Sequence, residues 1–379
     1  MKRRFSGGTA DHRPVVLIGT TSTSNSKAIP TVVNALVEGL SSKYRFVLFH
    51  FERRFGSTRL ARLNLLNVYY FLKHLVLWIY LLISHRPDMV HYPVGSHWNL
   101  EKSLILLKFG KVFRAKTIGH LHSGEFLDFW KTLSPLRKRF ARKVLEELNA
   151  LILLSEGWRH NVESEIGLDR ARMFVVHNPI DASFESQVLT IPVERDTEMI
   201  LSFGVMARQK GILDIIEASR VALQDSRFVL YLTGPEREPN ITKQCRKLIQ
   251  NYSLSEQLFI TGGVYGDEKI DLFRRASIFL MPSYVENFPL AILEAAAAGL
   301  PIIATPVGAL PEFFRDEESI LFVQPGNVHA ISSAVKRLMQ NPPERHSMGK
   351  AARAVFVERL SRDQIFQSLD STYQHVMAQ

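Results

Sequence analysis

The chain has 379 residues, 46% of them apolar, with a mean hydropathy near zero. These values exclude an intrinsically disordered protein and predict roughly two or three globular domains. A single cysteine, Cys245, excludes an internal disulfide and fits a reducing compartment. The net charge of +10 lies in the first half, since residues 1–190 carry 27 Lys and Arg against 15 Asp and Glu, whereas residues 191–379 carry 20 against 22.

The charge asymmetry indicates an anionic partner, such as phospholipid, a lipid-linked phosphate or nucleic acid, or else a basic solvated surface. The N-terminal residues are basic, but no apolar run follows them, so they lack the pattern of a secretory signal. We therefore expect residues 1–12 to form a flexible tail, and we expect the protein to be cytoplasmic.

Short β-branched and apolar runs alternate with longer helical patterns through both halves of the chain. Six runs in each half predict two doubly wound parallel sheets, an α/β fold in which ligands bind beyond the carboxyl ends of the strands. The predicted strands are Pro14–Gly19, Phe46–Phe51, Asp88–Tyr92, Lys116–Leu121, Ala150–Ser155, Met173–His177, Met199–Gly204, Phe228–Thr233, Gln257–Thr261, Ser277–Met281, Leu300–Thr305 and Ser319–Val323.

Two stretches outside the strands set the predicted domain limits. Ala182–Glu198 lacks periodicity, so we predict a linker at 184–198 between a domain at 1–183 and a second domain at 199–360. Ser361–Met377 predicts an amphipathic helix with an apolar face formed by Phe366, Leu369, Tyr373 and Val376.

An apolar stretch and a basic stretch in the first half allow two interpretations each. Tyr69–Ser84 is almost continuously apolar, but its uninterrupted part, Leu75–Ile83, is shorter than the ~20 residues of a membrane span. A helix buried against the sheet is the favoured interpretation, and a helix lying on a membrane surface is the alternative. Likewise, Leu136–Lys143 is either a solvated helix face or a footprint for an anionic membrane surface or a nucleic acid.

Two glutamates eight residues apart provide the strongest functional signal. Glu286 precedes a predicted helix start, Pro289 suits the first helical position, and Glu294 lies inside the helix. Carboxylates can hold sugar hydroxyls, and the N–H groups of a helix N-terminus can hold phosphate. This combination is suited to a nucleotide sugar.

The stretch Glu286–Glu312, which contains Glu-Ala-Ala-Ala-Ala-Gly-Leu-Pro and Val-Gly-Ala-Leu-Pro-Glu, resembles the retaining glycosyltransferases of family 4. The likeness extends to Phe203-Gly204, Lys210-Gly211, Thr233-Gly234-Pro235 and Asn178-Pro179-Ile180-Asp181, and it is stronger over the second half of the chain. It implies the GT-B fold, in which two Rossmann-like domains face each other across a cleft. The first domain would bind the acceptor, the second would bind the nucleotide sugar, and a helix at 361–379 would cross back onto the first.

The same resemblance implies roles for residues of the second half. Lys210 would stabilise the departing diphosphate, Arg208 would offer a second cation, and Gly211 would allow close backbone approach. Val205 stands where many members of the family have arginine. Glu286 would bind donor-sugar hydroxyls and Glu294 the ribose. The remaining predicted donor contacts are Gly234, Asn287, Phe288, Pro289 and Leu290.

Histidines at the end of the strand Lys116–Leu121 are candidates for the first domain's share of the site. His122 matches the family's active-site histidine, and His120 would be its neighbour or an acceptor contact. A metal site that includes His91 and His177 is an alternative, which the absence of carboxylates or cysteines at ligand spacing disfavours. Core or capping histidines are the third interpretation. We expect no metal ion, because lysine, arginine and helix N–H groups supply the positive charge.

These residues together with the resemblance imply a retaining hexosyltransferase that moves a sugar from a nucleoside-diphosphate sugar to a hydroxyl of a saccharide or lipid-linked acceptor, in cell-surface polysaccharide or glycolipid synthesis. The loop that begins at Gly19 has neither a G-x-G-x-x-G nor a Walker sequence, which argues against an oxidoreductase or a P-loop NTPase. No cofactor beyond the donor is expected. The open alternatives are a GT-B nucleotide-sugar epimerase and a non-catalytic protein that binds membrane or nucleic acid. Nucleic acid is not an expected partner, and peripheral attachment to an anionic membrane is a further hypothesis.

Overall fold

A computed structural model describes residues 12–21, 28–50, 65–190, 198–224 and 226–379. The described residues form two six-stranded, wholly parallel sheets, both with helices on their faces. The strands are β1 (Val15–Thr21), β2 (Arg45–His50), β3 (Met89–Val94), β4 (Lys116–Leu121), β5 (Ala150–Leu153), β6 (Met173–Val175), β7 (Met199–Phe203), β8 (Val229–Thr233), β9 (Leu258–Gly262), β10 (Ile278–Met281), β11 (Ile302–Ala304) and β12 (Leu321–Phe322).

The helices of the described residues connect these strands and cover both faces of each sheet. They are α1 (Ala28–Leu40), α2 (Leu65–His85), α3 (Trp98–Val112), α4 (Phe126–Thr132), α5 (Pro135–Glu146), α6 (Glu156–Ile166), α7 (Ala182–Thr190), α8 (Ile212–Ala222), α9 (Ile241–Asn251), α10 (Gly266–Arg275), α11 (Leu290–Ala297), α12 (Leu310–Phe313), α13 (Val328–Gln340), α14 (Pro342–Val355) and α15 (Arg362–Ala378).

All twelve predicted strands are present, and the prediction of two doubly wound sheets is confirmed. The strand order is β2-β1-β3-β4-β5-β6 in the first sheet and β12-β11-β10-β7-β8-β9 in the second. The second order is that of a Rossmann fold. Strands such as β5 and β10 are buried along their whole length, because helices cover both faces of a parallel sheet. This burial explains why they read as continuous apolar runs.

The segment predicted as a linker begins with a helix. Helix α7 spans Ala182–Thr190, and its side chains Phe184 and Val188 are buried in the core of the second sheet. The Phe184 ring packs edge-on against Phe273 of α10, with the ring centres 5.2 Å apart. The first part of the segment is therefore helical up to Thr190 although its sequence lacks clear periodicity, and its role as a linker between two domains stays a prediction. Residues 191–197 lie outside the described part of the chain.

The C-terminal helix α15 lies against the first sheet, although it follows the second sheet in sequence. Leu369, Tyr373 and Val376 are fully buried there. Asp370 adds a polar anchor, since it accepts hydrogen bonds from Lys43 Nζ at 2.6 Å and from the Tyr44 hydroxyl at 2.8 Å. This helix therefore ties the two halves of the chain together.

Helix α2 is apolar on both sides. Phe71, Trp78 and Leu82 are buried against the first domain, and Trp78 Nε1 donates to the Leu106 carbonyl at 2.9 Å. The opposite side carries large apolar residues that are exposed. The favoured prediction, a helix buried against the sheet, is right for one face and wrong for the other. By length and composition alone, Asn67–His85 would suffice to cross a membrane.

Candidate active site between the two sheets

The loop after β7 places Lys210 in the cleft. A short 3-10 turn at Arg208–Lys210 ends at Gly211, whose φ is +70°. A β-carbon on Gly211 would lie 2.3 Å from the carbonyl oxygen of Pro282, at the end of β10. Glycine is thus required here both for its left-handed backbone and for this close contact. The contact holds the turn against the carboxyl end of β10.

Lys210 and Glu286, which lie 76 residues apart in sequence, form an ion pair in the cleft. Both side chains are largely buried, so their attraction is screened less than that of a surface pair. Glu286 precedes α11, which begins at Leu290 with Pro289 as its N-cap residue. The sequence predicted Pro289 as the first residue of the helix. In the structure the helix begins one residue later, and Pro289 is the residue that precedes it.

The approach to α11 also touches the first domain. The side-chain Nδ2 of Asn287 donates to the His122 carbonyl at 3.1 Å, and that of Asn178 donates to the Phe288 carbonyl at 3.5 Å. A β-carbon on Gly124 would lie 3.1 Å from the Asn287 backbone nitrogen. These contacts bring the carboxyl end of β4 against the N-terminus of α11.

The predicted donor contact Gly234 lies at a tight crossing of two loops. Its φ is +151°, and a β-carbon there would lie 1.6 Å from the carbonyl oxygen of Gly204. The amide of Gly204 in turn donates to the Thr233 carbonyl at 2.9 Å. The loops after β7 and β8 therefore cross with no room for a side chain at Gly234. This crossing lies beside a small pocket that includes Lys210 and Met281.

A row of histidines runs from α15 through the first sheet to the cleft. His91 Nδ1 lies 2.6 Å from the Tyr373 hydroxyl, and His91 Nε2 lies 3.2 Å from His120 Nδ1. The rings of His120 and His122 follow, with their centres 3.9 Å apart. The pairing of β3 with β4 sets this row. His91 is level with Ile118 and Pro93 is level with His120, so His91 and His120 lie on neighbouring strands, two positions apart along the strand direction.

Burial keeps all three histidines neutral. Desolvation lowers the pKa of His91 to about 3 and that of His122 to about 4, and it holds the pKa of His120 well below 6.5. These distances allow one hydrogen bond between Tyr373 and His91 and another between His91 and His120, and the tautomers of the two histidines decide which atom donates in each. A neutral His122 at the cleft can accept a hydrogen bond from a hydroxyl.

Glu294 has a protein partner that the sequence did not suggest. Its buried carboxylate receives a hydrogen bond of 2.5 Å from Lys269 Nζ, which also lies 5.2 Å from the ring centres of Phe184 and Phe203. Burial raises the pKa of Glu294, and the Lys269 ammonium opposes that shift. The role of Glu294 in binding ribose stays a prediction. Lys269 had no sequence signal beyond its place in the first turn of the helix after β9.

Arg208 is not brought into the Lys210–Glu286 pair. Its Nε donates to Glu238 Oε1 at 2.8 Å, its backbone amide donates to the other Glu238 oxygen at 3.0 Å, and its guanidinium also contacts Gln244. The side chain is thereby directed toward the loop after β8. A diphosphate contact from Arg208 would require it to leave Glu238, so this role remains a prediction.

Glu312 forms a second bridge between the domains. Its carboxylate accepts hydrogen bonds from the amides of Glu156 at 3.0 Å and Gly157 at 2.8 Å, at the N-terminus of α6. A carboxylate at this position satisfies open N–H groups and complements the helix dipole. Glu312 is part of the motif that carries the family resemblance, but nothing in the sequence indicates its partner.

Two further predictions concern a metal site and the loop that begins at Gly19, and both can be compared only with the residues that the structure describes. Within these residues, no group of three or more His, Cys, Asp and Glu side chains is arranged to hold a metal ion. His177 lies apart from the histidine row, with Nδ1 at 2.8 Å from the Leu154 carbonyl. In the loop that begins at Gly19, residues 22–27 lie outside the described part of the chain.

Two doubly wound sheets with a polar site between their carboxyl ends define the GT-B class of glycosyltransferase fold. Residues 187–355 match the family profile described as glycosyl transferases group 1, and residues 25–184 match that described as glycosyltransferase family 4. The two matches are adjacent and together span most of the chain. The chain therefore belongs to the family 4 type of GT-B glycosyltransferases, and the recognition made from the sequence motifs is confirmed.

Known proteins agree with this assignment. The chain is 26% identical over 237 residues to an uncharacterized glycosyltransferase of Methanocaldococcus jannaschii, an alignment that covers 60% of either chain. It is 26% identical over 255 residues to the alpha-maltose-1-phosphate synthase of Mycolicibacterium smegmatis, covering 62% of this chain and 66% of that protein. The aligned parts thus amount to less than two thirds of these relatives.

Solved structures match the fold over nearly the whole chain. Sucrose-phosphate synthase from Thermosynechococcus elongatus superposes with a TM-score of 0.75 at 18% identity, covering 97% of this chain and 99% of that chain. Anabaena HepE, in complex with UDP and glucose, superposes with a TM-score of 0.71 at 16% identity, covering 96% of this chain and all of the other. At such identities, the likeness establishes the fold.

Proposed function

We propose that this chain is a retaining hexosyltransferase that moves a sugar from a nucleoside-diphosphate sugar to a hydroxyl of a saccharide or lipid-linked acceptor. The observation that carries the proposal is the Lys210–Glu286 ion pair at the N-terminus of α11, opposite the end of β4. The binding of UDP-glucose by HepE and the name of the mycobacterial synthase support a nucleotide-sugar donor and a saccharide product.

On the donor side, the residues present fit a diphosphate and a sugar. Lys210 supplies a partly buried ammonium for the leaving diphosphate, where the lower dielectric strengthens the interaction. The N–H groups at the start of α11 add a favourable dipole, except at Pro289, which has no N–H. Glu286 is held beside Lys210 and would accept hydrogen bonds from hydroxyls of the transferred sugar.

His122 of the first domain and Asn287 of the second domain meet at the cleft, where the Asn287 side chain donates to the His122 carbonyl. Among the described residues, Asn287 Oδ1 is buried without a hydrogen-bond partner, and a buried polar oxygen normally has one. A hydroxyl of a bound sugar would donate to it. The neutral His122 ring would accept a second hydroxyl. We assign these two residues to sugar binding, and we infer a front-face reaction in which the leaving phosphate helps to deprotonate the acceptor. No metal ion and no covalent nucleophile are part of this proposal.

The first test is thermal stabilisation of wild type and Lys210→Ala by nucleoside diphosphates and their sugars. A donor present at 100 times its dissociation constant adds about 2.7 kcal/mol to the free energy of unfolding. One nucleotide sugar should stabilise the wild type, and the Lys210→Ala variant should respond much less. Lys350→Ala, on the exposed surface of α14, is the matched control and should respond like the wild type.

The transfer step has its own measurement. With the donor identified, removal of Lys210 should lower kcat by about 10²–10³, because one charged donor to the leaving group is lost. Proton NMR of the first product should show the anomeric configuration of the donor. An inverted product would refute the retaining mechanism, and the absence of stabilisation by every nucleotide sugar would refute the donor site.

A further inference from the structure

Helix α2 presents an exposed apolar stripe on the surface of the first domain. Tyr69, Leu72, Val76, Tyr80 and Ile83 are between 54% and 69% exposed. At about 100° per residue they fall within an arc of about 80°, and the stripe is about 20 Å long. A helix on a protein surface normally turns charged and polar residues outward. A contiguous apolar stripe of this kind marks an interaction surface.

The stripe ends at a basic cavity. At the C-terminal end of α2, a cavity of about 640 Å³ is lined by Ile83 and Phe113 and by the cations Arg86, Arg114 and Lys116. Among the described lining residues the cavity has one carboxylate, Asp88, which accepts a hydrogen bond from the Val15 amide at 2.8 Å. The cavity therefore carries net positive charge beside an apolar surface.

The charges around the apolar stripe indicate which kind of partner the stripe would bind. No acidic residue occurs between Leu65 and Arg86, and Lys73 is exposed next to the stripe. Val112, at the end of α3, is 68% exposed and extends the apolar surface beside the cavity. Apolar side chains flanked by cations match the acyl boundary and the phosphate groups of an anionic bilayer. A second copy of the chain would instead bring these cations into its own interface.

We propose that the α2 stripe and the basic cavity dock the protein on an anionic phospholipid bilayer. The stripe enters the headgroup–acyl boundary, and Arg86, Arg114 and Lys116 bind lipid phosphates. The helix lies on the membrane and does not cross it, because Trp78 and Leu82 on its other face are buried in the protein. The proposal is independent of the transferase reaction. Where both hold, docking brings the cleft to lipid-borne acceptors.

The test is co-sedimentation of the full chain at low salt with phosphatidylcholine vesicles, with and without phosphatidylglycerol. The wild type should bind the anionic vesicles. Leu72→Gln/Val76→Gln should lower the partition coefficient more than tenfold, because two apolar side chains no longer enter the lipid. Arg86→Asn/Arg114→Asn should lower it about fivefold per cation, and only for anionic vesicles. Asparagine suits these two positions, where φ is positive.

Matched controls separate the proposed surface from apolarity and charge in general. Val221→Gln/Val357→Gln removes two exposed apolar residues of the second domain, and Lys350→Gln removes an exposed cation there. Both should bind vesicles like the wild type. Equal losses in these controls, or no wild-type binding to anionic vesicles, would overturn the proposal. So would a wild-type dimer that the α2 variant converts to monomers in light scattering, because a second copy would then cover the stripe.

Donor binding distinguishes a failure of this proposal from a failure of the transferase assignment. The α2 and cation variants should keep the wild-type stabilisation by the nucleotide sugar, since their residues lie outside the cleft. Conversely, Lys210→Ala should keep wild-type vesicle binding. A variant that loses both donor stabilisation and vesicle binding would be misfolded, which circular dichroism would show. The other double variant, at the stripe or at the cavity, would then decide whether its surface binds lipid.

Discussion

Lowering the pH from about 7.5 to about 5.5 is expected to destabilise the first domain through His91, His120 and His122. Burial lowers the pKa of all three, to about 3 for His91 and about 4 for His122. In the unfolded chain a histidine titrates at about 6.5. The unfolded state therefore takes up protons in this range that the folded state does not. The stabilisation is fully present above the unfolded pKa and is lost as the pH falls below it.

The size of the effect follows from proton linkage. Between these pH values, each histidine that stays neutral only in the folded state costs about 1.4 kcal/mol, so three cost about 4 kcal/mol. At about 2–4 °C per kcal/mol for a domain of this size, the melting temperature should fall by about 8–16 °C. Thermal unfolding followed by circular dichroism at the two pH values measures this difference directly.

Replacing the buried histidines isolates their contribution from that of other groups. His91→Gln/His120→Gln/His122→Gln should lose most of the pH dependence, and each single variant should lose about a third of it. His329→Gln/His346→Gln, at two exposed positions, is the control and should keep the wild-type slope. The reasoning would be refuted by a triple or single variant with the pH dependence of the wild type.

Three further substitutions test contacts that hold the site together. Gly234→Ala should destabilise the second domain by more than about 4 kcal/mol in thermal or urea unfolding, because the added β-carbon would overlap the Gly204 carbonyl. The control Gly204→Ala places its β-carbon in open space and should have a mild effect. Equal effects of the two substitutions would contradict the crossing geometry. Lys269→Met should cost about 3–5 kcal/mol, since it leaves the buried Glu294 carboxylate without its cation, and a loss below about 1 kcal/mol would show that the pair is not buried. Glu312→Ala should cost about 1–2 kcal/mol by removing an N-terminal helix cap between the domains, and an unchanged melting temperature would exclude that cap.

The sequence by itself determined the fold class, and it predicted the residues of the candidate site. A parallel strand buried on both faces must be apolar along its length, so runs such as Ala150–Leu153 and Ile278–Met281 are visible without knowledge of their neighbours. The spacing of Glu286 and Glu294 around a helix start is likewise a local property. Lys210 was predicted from its match to the family's spacing of a glycine and a Lys-Gly pair after a strand, which is a local property too.

Only the tertiary structure decided which of these groups meet. Lys210 pairs with Glu286, whereas Arg208, two residues away, pairs with Glu238, because side-chain direction in a short 3-10 turn changes from residue to residue. The partner of Glu294 is Lys269, from a different helix. The composition of α2 shows that the helix is apolar, but it does not show which side of the helix is buried against the protein and which side is exposed. Burial depends on elements distant in sequence, and hydrophobic periodicity records it only when the other face is polar.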